Sequence, residues 1–264
     1  MLDISEKNQD PKFLFAGPCV IEDIETCIKI AREVKRVALS NNFIPVFKAS
    51  FDKANRTSYD AYRGVGLESG IFILNEVRKN IGIPVITDVH EPNQVEKLSS
   101  LDYIQIPAFL CRQTDLIKEC ALSGLPTLVK KGQFLSPESC RFIEEKFYKY
   151  GGSKLFIGER GNSFGYGNLI VDATSISRLK KSCKNSFVIM DCTHSLQIPN
   201  GGEFTGGSSD MILDMVKFAS VMNSDGIFIE THPLPSSSPS DSQNILELSK
   251  LEEILSISKK IYSL

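Results

Sequence analysis

The sequence predicts a single-domain α/β fold, a (β/α)8 TIM barrel that spans residues 1–264. Three observations predict it: eight short β-rich runs recur along the chain, a helical stretch follows each run, and no linker or composition shift divides the chain. The runs are almost continuously apolar instead of alternating, which is typical of parallel strands covered on both faces. Eight strand–helix pairs in a chain of this length favour a closed barrel over an open doubly wound sheet.

The predicted strands are the apolar runs, which in chain order cover residues 13–16, 44–47, 84–87, 103–106, 126–129, 154–157, 187–190 and 226–229. The predicted helices follow them at residues 22–40, 66–80, 92–100, 113–122, 137–150, 173–183, 209–223 and 247–262. The first helix is the clearest, because Ile24, Ile28 and Ala31 recur at helical spacing among charged residues. Ser136 before Pro137 is a typical start for the fifth helix, as an N-cap followed by a first-turn proline.

The composition excludes two classes of partner. Lys and Arg number 30 against 32 Asp and Glu, so no overall basic field exists to attract nucleic acid or an anionic membrane surface. No apolar run approaches the length of a membrane span. Any site for an anion must therefore be local.

The cysteines predict a reducing, cytoplasmic environment. The chain has seven of them, an odd number without a CxxC pair, which argues against a closed disulfide framework. The first residues, MLDISEKNQDPKF, contain acids and no apolar segment, and they resemble neither a secretory signal nor a transit peptide.

Charged and ionisable residues collect where the predicted strands end. In such a barrel these carboxyl ends form one face, and the chemistry lies there. The residues in or just after the ends of the strands include Cys19, Lys48, Asp88, His90, Gln105, Lys130, Glu159, Arg160, Asp191, His194, Glu230 and His232. A single histidine at a strand end is usually structural, but all three histidines of the chain lie on this face, which favours a functional site.

Four cations are predicted to converge on this face: Lys48, Lys53, Lys130 and Arg160. Bringing them together is costly unless an anion joins them, so the set predicts a site for phosphate and carboxylate groups. The alternative is that each cation pairs with a nearby acid, such as Asp52 or Glu159.

Cys19, His194 and Glu230 offer sulfur, imidazole nitrogen and carboxylate oxygen, a mixed set that suits a divalent transition metal better than magnesium or calcium. The loop after the last strand has one acid, Asp241, as a candidate fourth ligand. The alternative for Cys19 is a small buried hydrophobic residue.

Eight stretches of the chain, in order, resemble one enzyme family. They are FKASFDKANR (47–56), YRGVGLE (62–68), TDVHE (87–91), IQIPAFLCRQTDL (104–116), VKKGQF (129–134), ERGNSFGYGNLIVD (159–172), DCTHSLQ (191–197) and FIETHP (228–233). They resemble the 3-deoxy-D-manno-octulosonate 8-phosphate synthases, also called 2-dehydro-3-deoxyphosphooctonate aldolases. These transferases condense phosphoenolpyruvate with D-arabinose 5-phosphate and water and release phosphate, in the Kdo pathway towards bacterial lipopolysaccharide.

The resemblance implies roles for the cationic residues. Lys48 and Lys53 face the phosphoenolpyruvate end of the pocket, whereas Asn55 and Arg56 hold arabinose 5-phosphate. The phosphoenolpyruvate phosphate is held by Lys130 and Arg160, with Gln105 and the Ala108 backbone nearby. Arg112 matches a residue that is lent to the sugar phosphate across a subunit interface, and a homotetramer is implied. The implied catalytic candidates are His194, His90, Lys48 and Asp88, with the histidines suited to proton transfer.

The resemblance also implies the metal-dependent class of the family, because metal-independent members carry Asn where this chain has Cys19. The implied ligands are Cys19, His194, Glu230 and Asp241. Zinc, iron, manganese and cobalt all remain open as the cofactor, since affinity order and availability decide occupancy.

Three other functions differ from this one in what they require of the sequence. The related synthase that uses erythrose 4-phosphate, 3-deoxy-heptulosonate 7-phosphate synthase, usually shows a KPRT-like stretch where this chain has KANR at 53–56. A sialic-acid-type synthase has an unphosphorylated sugar and would not require Arg56 and Arg112. A non-catalytic barrel that binds a sugar phosphate is permitted by the fold alone but leaves the candidate ligands unexplained.

Overall fold

The computed structural model describes residues 12–56, 58–198, 208–240 and 242–264. Eight parallel strands close into a barrel, because the last of them pairs with the first. In barrel order they are β1 Phe13–Gly17, β2 Ile44–Lys48, β3 Val85–Asp88, β4 Tyr103–Ile106, β5 Thr127–Lys130, β6 Leu155–Glu159, β9 Phe187–Asp191 and β10 Gly226–His232. The predicted (β/α)8 TIM barrel is confirmed.

Three short strands lie outside the barrel. β7 (Asn162–Phe164) and β8 (Asn168–Ile170) form an antiparallel hairpin directly after β6. β11 (Leu246–Glu247) adds two residues beside the end of β10. The hairpin was not predicted from the sequence.

Seven α-helices surround the barrel in the described residues: α1 Ile24–Ser40, α2 Leu67–Ile81, α3 Thr114–Leu122, α4 Arg141–Lys149, α5 Ser175–Ser182, α6 Ile212–Val221 and α7 Leu251–Tyr262. The helix expected over 92–100 is wrong, since this segment forms two 3-10 turns, Pro92–Gln94 and Glu96–Ser100. The Gln94 side chain accepts hydrogen bonds from the backbone of His90 and Glu91, which closes a one-turn unit in a short connection.

Local signals in the sequence explain where the helices begin. Asp23 caps α1, where its Oδ1 accepts a hydrogen bond from the backbone of Thr26 at 2.8 Å. The predicted cap at Ser136 is present, although it starts a 3-10 turn, Pro137–Cys140, that leads into α4. No helix among the residues with described structure is long and apolar enough to cross a membrane.

The barrel interior is filled by a plug of apolar side chains. Strand β1 contributes two of these side chains, β4 contributes none, and each of the other barrel strands contributes one. They are Phe13, Phe15, Val46, Ile86, Leu128, Phe156, Ile189 and Phe228. Aromatic rings pack edge to face in it, with the centroids of Phe13 and Phe156 5.0 Å apart. The intervening residues of each strand point outward to the helices and form the larger core.

The plug decides which polar residues face the barrel mouth. Because side chains alternate along a strand, the residue two positions after each plug residue points inward again. The charged residues at these positions are Lys48, Asp88, Lys130, Asp191 and Glu230, at the carboxyl ends of five strands.

Candidate active site

A cavity of about 360 Å³ opens at the carboxyl ends of the barrel strands. Its lining includes eleven of the residues that were given a role in the site from the sequence, which are Lys48, Lys53, Asn55, Arg56, Asp88, His90, Gln105, Ala108, Lys130, Arg160 and His194. The remaining lining residues are Ser50, Ala54, Glu91, Pro107, Phe109, Leu110, Gln133, Asp191 and Gln197. Polar groups from most of the barrel strands therefore meet in one concave site, as is typical of this fold.

Lys48 and Lys53 approach the same buried carboxylate. Lys48 Nζ lies 3.2 Å from Glu230 Oε1, and Lys53 Nζ lies 3.9 Å from it. Both ammonium groups also donate to Ser50 Oγ, at 2.9 and 3.1 Å. Burial alone would raise the pKa of Glu230, but His194, Lys48 and Lys53 lower it to about 2. The carboxylate is therefore charged, and it holds two cations at the cavity wall.

Lys130, Asp191 and His194 form a second charged group. Lys130 Nζ lies 2.6 Å from Asp191 Oδ2 and 3.0 Å from the centroid of the Phe228 ring. Asp191 also faces His194 Nδ1, with its Oδ2 at 3.0 Å. Burial lowers the pKa of Lys130 to about 8, an effect that Asp191 partly opposes. Burial would raise the pKa of Asp191, but the charges of His194 and Lys130 hold it well below its usual range.

Asp88 and His90 form a third group on the opposite side of the barrel. His90 Nε2 lies 3.1 Å from Asp88 Oδ2, while His90 Nδ1 is buried and has no hydrogen-bond partner within the described ranges. Against the effect of burial, the His90 hydrogen bond and the charges of Lys48 and Lys53 lower the pKa of Asp88. Gln105 Oε1 is also buried without a partner in those ranges.

Two arginines complete the cationic lining. Arg160 Nη2 donates to Gln197 Oε1 at 2.6 Å and to the His194 carbonyl at 3.2 Å. Arg56 donates to the Tyr62 carbonyl at 3.3 Å and contacts Ser240 Oγ. Arg112, by contrast, is exposed outside the cavity lining, and its carbonyl accepts a hydrogen bond from Lys146.

Three of the four cations do pair with carboxylates, but the acids are not the two named from the sequence. Asp52 pairs with Arg63, and Glu159 pairs with Lys131 on the outside of the barrel. The site cations instead face Asp191 and Glu230, which come from neighbouring strands β9 and β10. Lysine and arginine outnumber carboxylates in the lining by five to three, and the excess persists when Glu230 is counted. The cavity is therefore positively charged and suits phosphorylated molecules.

Three of the four predicted metal ligands lie close together. His194 Nε2 is 3.6 Å from Glu230 Oε1, and the Cys19 thiol lowers the pKa of Glu230 through a hydrogen bond. Glu230 Oε2 is buried without a hydrogen-bond partner in the described part of the chain, and a carboxylate oxygen of this kind is suited to a cation. Asp241 lies outside the described residues. Among residues with described positions, no three His, Cys, Asp or Glu side chains form a complete metal-binding group.

Asp191, Ser50, Gln133 and Gln197 line the cavity but were not assigned a role from the sequence. Asp191 was visible as an acid at a strand end, and Gln197 lies in the same DCTHSLQ stretch. The alternation of side chains along the strand was the signal that could have assigned Asp191 to the cavity, because Asp191 lies two residues after an inward-facing apolar residue. Cys192, the next residue, is buried and packs on the other side of the strand.

The chain matches the model of the DAHP synthetase I family over residues 3–264. Among curated proteins, it is similar to the 2-dehydro-3-deoxyphosphooctonate aldolase of Desulfatibacillum aliphaticivorans, with 44% identity over 93% of this chain and 90% of the relative. The proteins of the same name from Xanthomonas campestris pv. campestris (strain B100) and Coxiella burnetii (strain CbuK_Q154) are 43% and 41% identical. These two cover 93% and 96% of this chain, and 89% and 90% of their own lengths are matched.

Proposed function

Because this chain belongs to the DAHP synthetase I family and, within it, to the 2-dehydro-3-deoxyphosphooctonate aldolases, we propose that it condenses phosphoenolpyruvate with D-arabinose 5-phosphate in this cavity. The resemblance seen in the sequence is thereby confirmed, and so is its assignment as a condensing enzyme of Kdo biosynthesis. The names of the relatives do not favour the synthase that uses erythrose 4-phosphate or a non-catalytic barrel.

The observation that carries the proposal is the excess of cations around one cavity. Lys130 and Arg160 suit the phosphate of phosphoenolpyruvate, with Gln105 and the Ala108 backbone beside it. Lys48 and Lys53 lie next to Glu230 and suit the carboxylate end. Arg56 and Asn55 lie in the loop after β2, where they suit the phosphate of the sugar. Two anionic groups at separate ends would hold the substrates in one orientation.

The proposed reaction forms one carbon–carbon bond and breaks one carbon–oxygen bond. C3 of phosphoenolpyruvate attacks the aldehyde carbon of arabinose 5-phosphate, and the aldehyde oxygen takes up a proton. Water adds at C2 and loses a proton, and the resulting tetrahedral intermediate expels phosphate from C2 to leave a ketone. The products are 3-deoxy-D-manno-octulosonate 8-phosphate and inorganic phosphate, which accounts for every atom of the two substrates and water.

His90 is the better placed of the two histidines for proton transfer. Its Nε2 is held by Asp88, its buried Nδ1 has no partner in the described residues, and the residue lines the cavity. His194 uses Nδ1 to contact Asp191, and its Nε2 is directed at Glu230. We therefore assign proton transfer to His90 and Asp88, and we assign His194 to binding the metal ion.

We also assign the metal-dependent class. Cys19, His194, Glu230 and Asp241 would hold a divalent zinc, iron, manganese or cobalt ion. The buried Cys19 thiol and the Glu230 oxygen without a hydrogen-bond partner among the described residues support this donor set. The ion would supply Lewis-acid polarisation of the aldehyde or orientation of water.

A cytoplasmic homotetramer is the proposed form. The aromatic side chains of Phe109, Phe134 and Phe164 are more than half exposed near the catalytic face, which suits burial against another subunit. Arg112 is exposed in the same region and could reach a neighbouring cavity. All seven cysteines are buried as free thiols, which suits a reducing compartment.

Phosphate release tests substrate and metal together. We expect release from phosphoenolpyruvate with arabinose 5-phosphate, much less with erythrose 4-phosphate, and loss of activity with a chelator that returns when metal is added. Equal rates with both sugars would contradict the substrate assignment. Activity unchanged by prolonged chelation, with no metal detected in the protein, would contradict the metal assignment.

A further inference from the structure

A second charged cluster lies directly behind the cavity wall, on the outer side of the barrel. It consists of Lys131, Glu159 and Asn162 and is called here the Lys131 cluster. Lys131 and Glu159 are both fully buried, at 0% exposure. Each is adjacent in sequence to a cavity cation, Lys130 and Arg160 respectively, and alternation along the strand directs the two neighbours to opposite sides. Neither residue takes part in the reaction as described above.

The Lys131 ammonium is surrounded by oxygen atoms. Its Nζ donates to Asn162 Oδ1 at 2.9 Å and to the Gly161 carbonyl at 3.0 Å. The carbonyls of Leu135 and Gly132 lie at 3.4 and 3.5 Å, and Glu159 Oε1 lies at 3.5 Å. The lysine therefore occupies a position like that of an internal cation, coordinated mainly by main-chain oxygens.

The cluster fixes the backbone of Gly161, the residue that follows Arg160. Glu159 Oε1 accepts a hydrogen bond from the Gly161 N–H at 2.6 Å, and Lys131 binds the Gly161 carbonyl. Gly161 has a φ of 80°, a left-handed conformation in which the chain leaves the barrel for the hairpin. Both polar groups of Gly161 are thus fixed by buried side chains, and the Arg160 main chain directly before it is constrained.

The same cluster also holds the loop after β5. Lys131 binds the Leu135 carbonyl, and Asn162 Nδ2 donates to that carbonyl at 2.7 Å. The neighbouring Ser163 N–H donates to the Gln133 carbonyl at 3.0 Å. Gln133 lines the cavity, so one buried lysine connects the loop that carries Gln133 to the segment that carries Arg160.

A buried ion pair is a costly way to stabilise a fold, since apolar residues of similar volume often serve as well or better. The arrangement is easier to explain by what it positions. We propose that Lys131 is a positioning residue for the phosphoenolpyruvate half of the site, where its ammonium joins two loops and thereby fixes Arg160 and Gln133. The assignment to phosphoenolpyruvate depends on the proposed function, whereas the connection between the loops does not.

The test uses the intact protein in three forms. Lys131→Met combined with Glu159→Gln removes both charges with little change in side-chain size, so no unpaired buried charge remains. Lys131→Ala is studied with n-propylammonium, which has the carbon and nitrogen atoms that the substitution removes, and with sodium chloride at equal ionic strength. Lys180→Met is the matched control, because Lys180 pairs with Asp225 at 2.8 Å at the opposite end of the barrel.

Two measurements separate the inference from the proposed function. In the double variant, amide exchange of the segments 132–136 and 159–164 should become at least about ten-fold faster, because the bonds to the Gly161 and Leu135 carbonyls are lost. The KM for phosphoenolpyruvate should rise about ten-fold, with a change of less than about two-fold for arabinose 5-phosphate. Propylammonium, but not sodium, should partly reverse the KM effect in Lys131→Ala, and the control should match the wild type.

Unchanged amide exchange in the double variant would overturn the inference, whatever the enzyme's activity. An equal loss for both substrates, or failure of both Lys131 variants to fold, would also overturn it, because either result makes the cluster a requirement of the whole fold. If amide exchange is faster in the double variant but the wild-type protein does not bind phosphoenolpyruvate, the connection between the loops stands and the proposed function is contradicted.

Discussion

At the scale of single residues, Lys130 shows how the barrel prepares a side chain for an anion. The ammonium lies against Asp191 and over the Phe228 ring, and burial lowers its pKa to about 8. The group is therefore mostly protonated at neutral pH and loses its proton as the pH rises through this value. A bound phosphate would favour the charged form and oppose that loss.

The first prediction is a pH dependence of phosphoenolpyruvate binding. We expect kcat/KM for phosphoenolpyruvate to fall as the pH rises above about 8, because the free enzyme then loses the Lys130 charge. In Lys130→Arg the guanidinium stays charged, so the alkaline fall should move upward by at least about one pH unit, even if the maximal rate is lower. If kcat/KM falls at the same alkaline pH in the wild type and in Lys130→Arg, the fall is caused by the titration of another group.

The second prediction concerns Cys19. Replacing it with Asn removes the thiolate ligand, so bound metal measured by elemental analysis should fall, and residual phosphate release should no longer respond to chelator. Cys120→Ala is the control, because Cys120 is a buried cysteine of α3 outside the cavity lining and should leave metal content unchanged. Complete inhibition of Cys19→Asn by chelator would count against this ligand assignment.

At the scale of elements, the close pairing of β1 with its neighbours depends on two glycines. A Cβ at Gly17 would lie 2.1 Å from the Lys48 carbonyl, at the catalytic end of β1 and β2. A Cβ at Gly226 would lie 2.4 Å from the Phe13 carbonyl, at the opposite end of β10. A side chain at either glycine would therefore collide with the neighbouring strand, but only Gly17 lies next to the active site.

The third prediction follows from this comparison. Gly17→Ala and Gly226→Ala should each lower the free energy of unfolding, on the order of 1–3 kcal/mol, because the strands must separate. Only Gly17→Ala should raise KM for phosphoenolpyruvate, since it displaces the backbone of Lys48. Urea unfolding and steady-state kinetics measure the two effects, and an equal rise in KM for both variants would contradict the local explanation.

At the scale of the whole molecule, the aromatic plug is the floor of the site. Phe156 packs edge to face against Phe13 and Phe15 and stacks on Phe187, with ring centroids between 5.0 and 5.5 Å apart. This packing holds the strands at the spacing from which the next inward residues reach the cavity. The site thus depends on barrel closure as much as on its own residues.

The fourth prediction concerns the assembly. If Arg112 completes a neighbouring subunit's site, Arg112→Ala and Arg56→Ala should each weaken arabinose 5-phosphate binding. Co-expressed subunits should recover part of the wild-type affinity, because some sites then combine an intact cavity with an intact Arg112. The control is a mixture of the two variants after each has assembled separately, under conditions in which they do not exchange subunits. Failure of the co-expressed form to recover, with a normal subunit count, would place Arg112 outside the site.

The sequence by itself determined much of this protein. Continuous apolar runs predicted the eight strands, and the residues after them included most of the cavity lining, because strand ends are local features of the chain. The failure at 92–100 was also local, since the backbone N–H groups of Val95 and Leu98 bond to the carbonyls three positions earlier, which makes 3-10 turns instead of an α-helix.

Only the tertiary structure decided which charges meet. Lys130 and Lys131 are neighbours in the sequence, yet one lines the cavity beside Asp191 and the other lies behind the wall with Glu159. The physical reason is that a side chain's direction depends on strand parity and on the neighbouring strands of the closed barrel. Partners such as Asp191 and Glu230 come from distant parts of the chain, and no local pattern specifies those pairings.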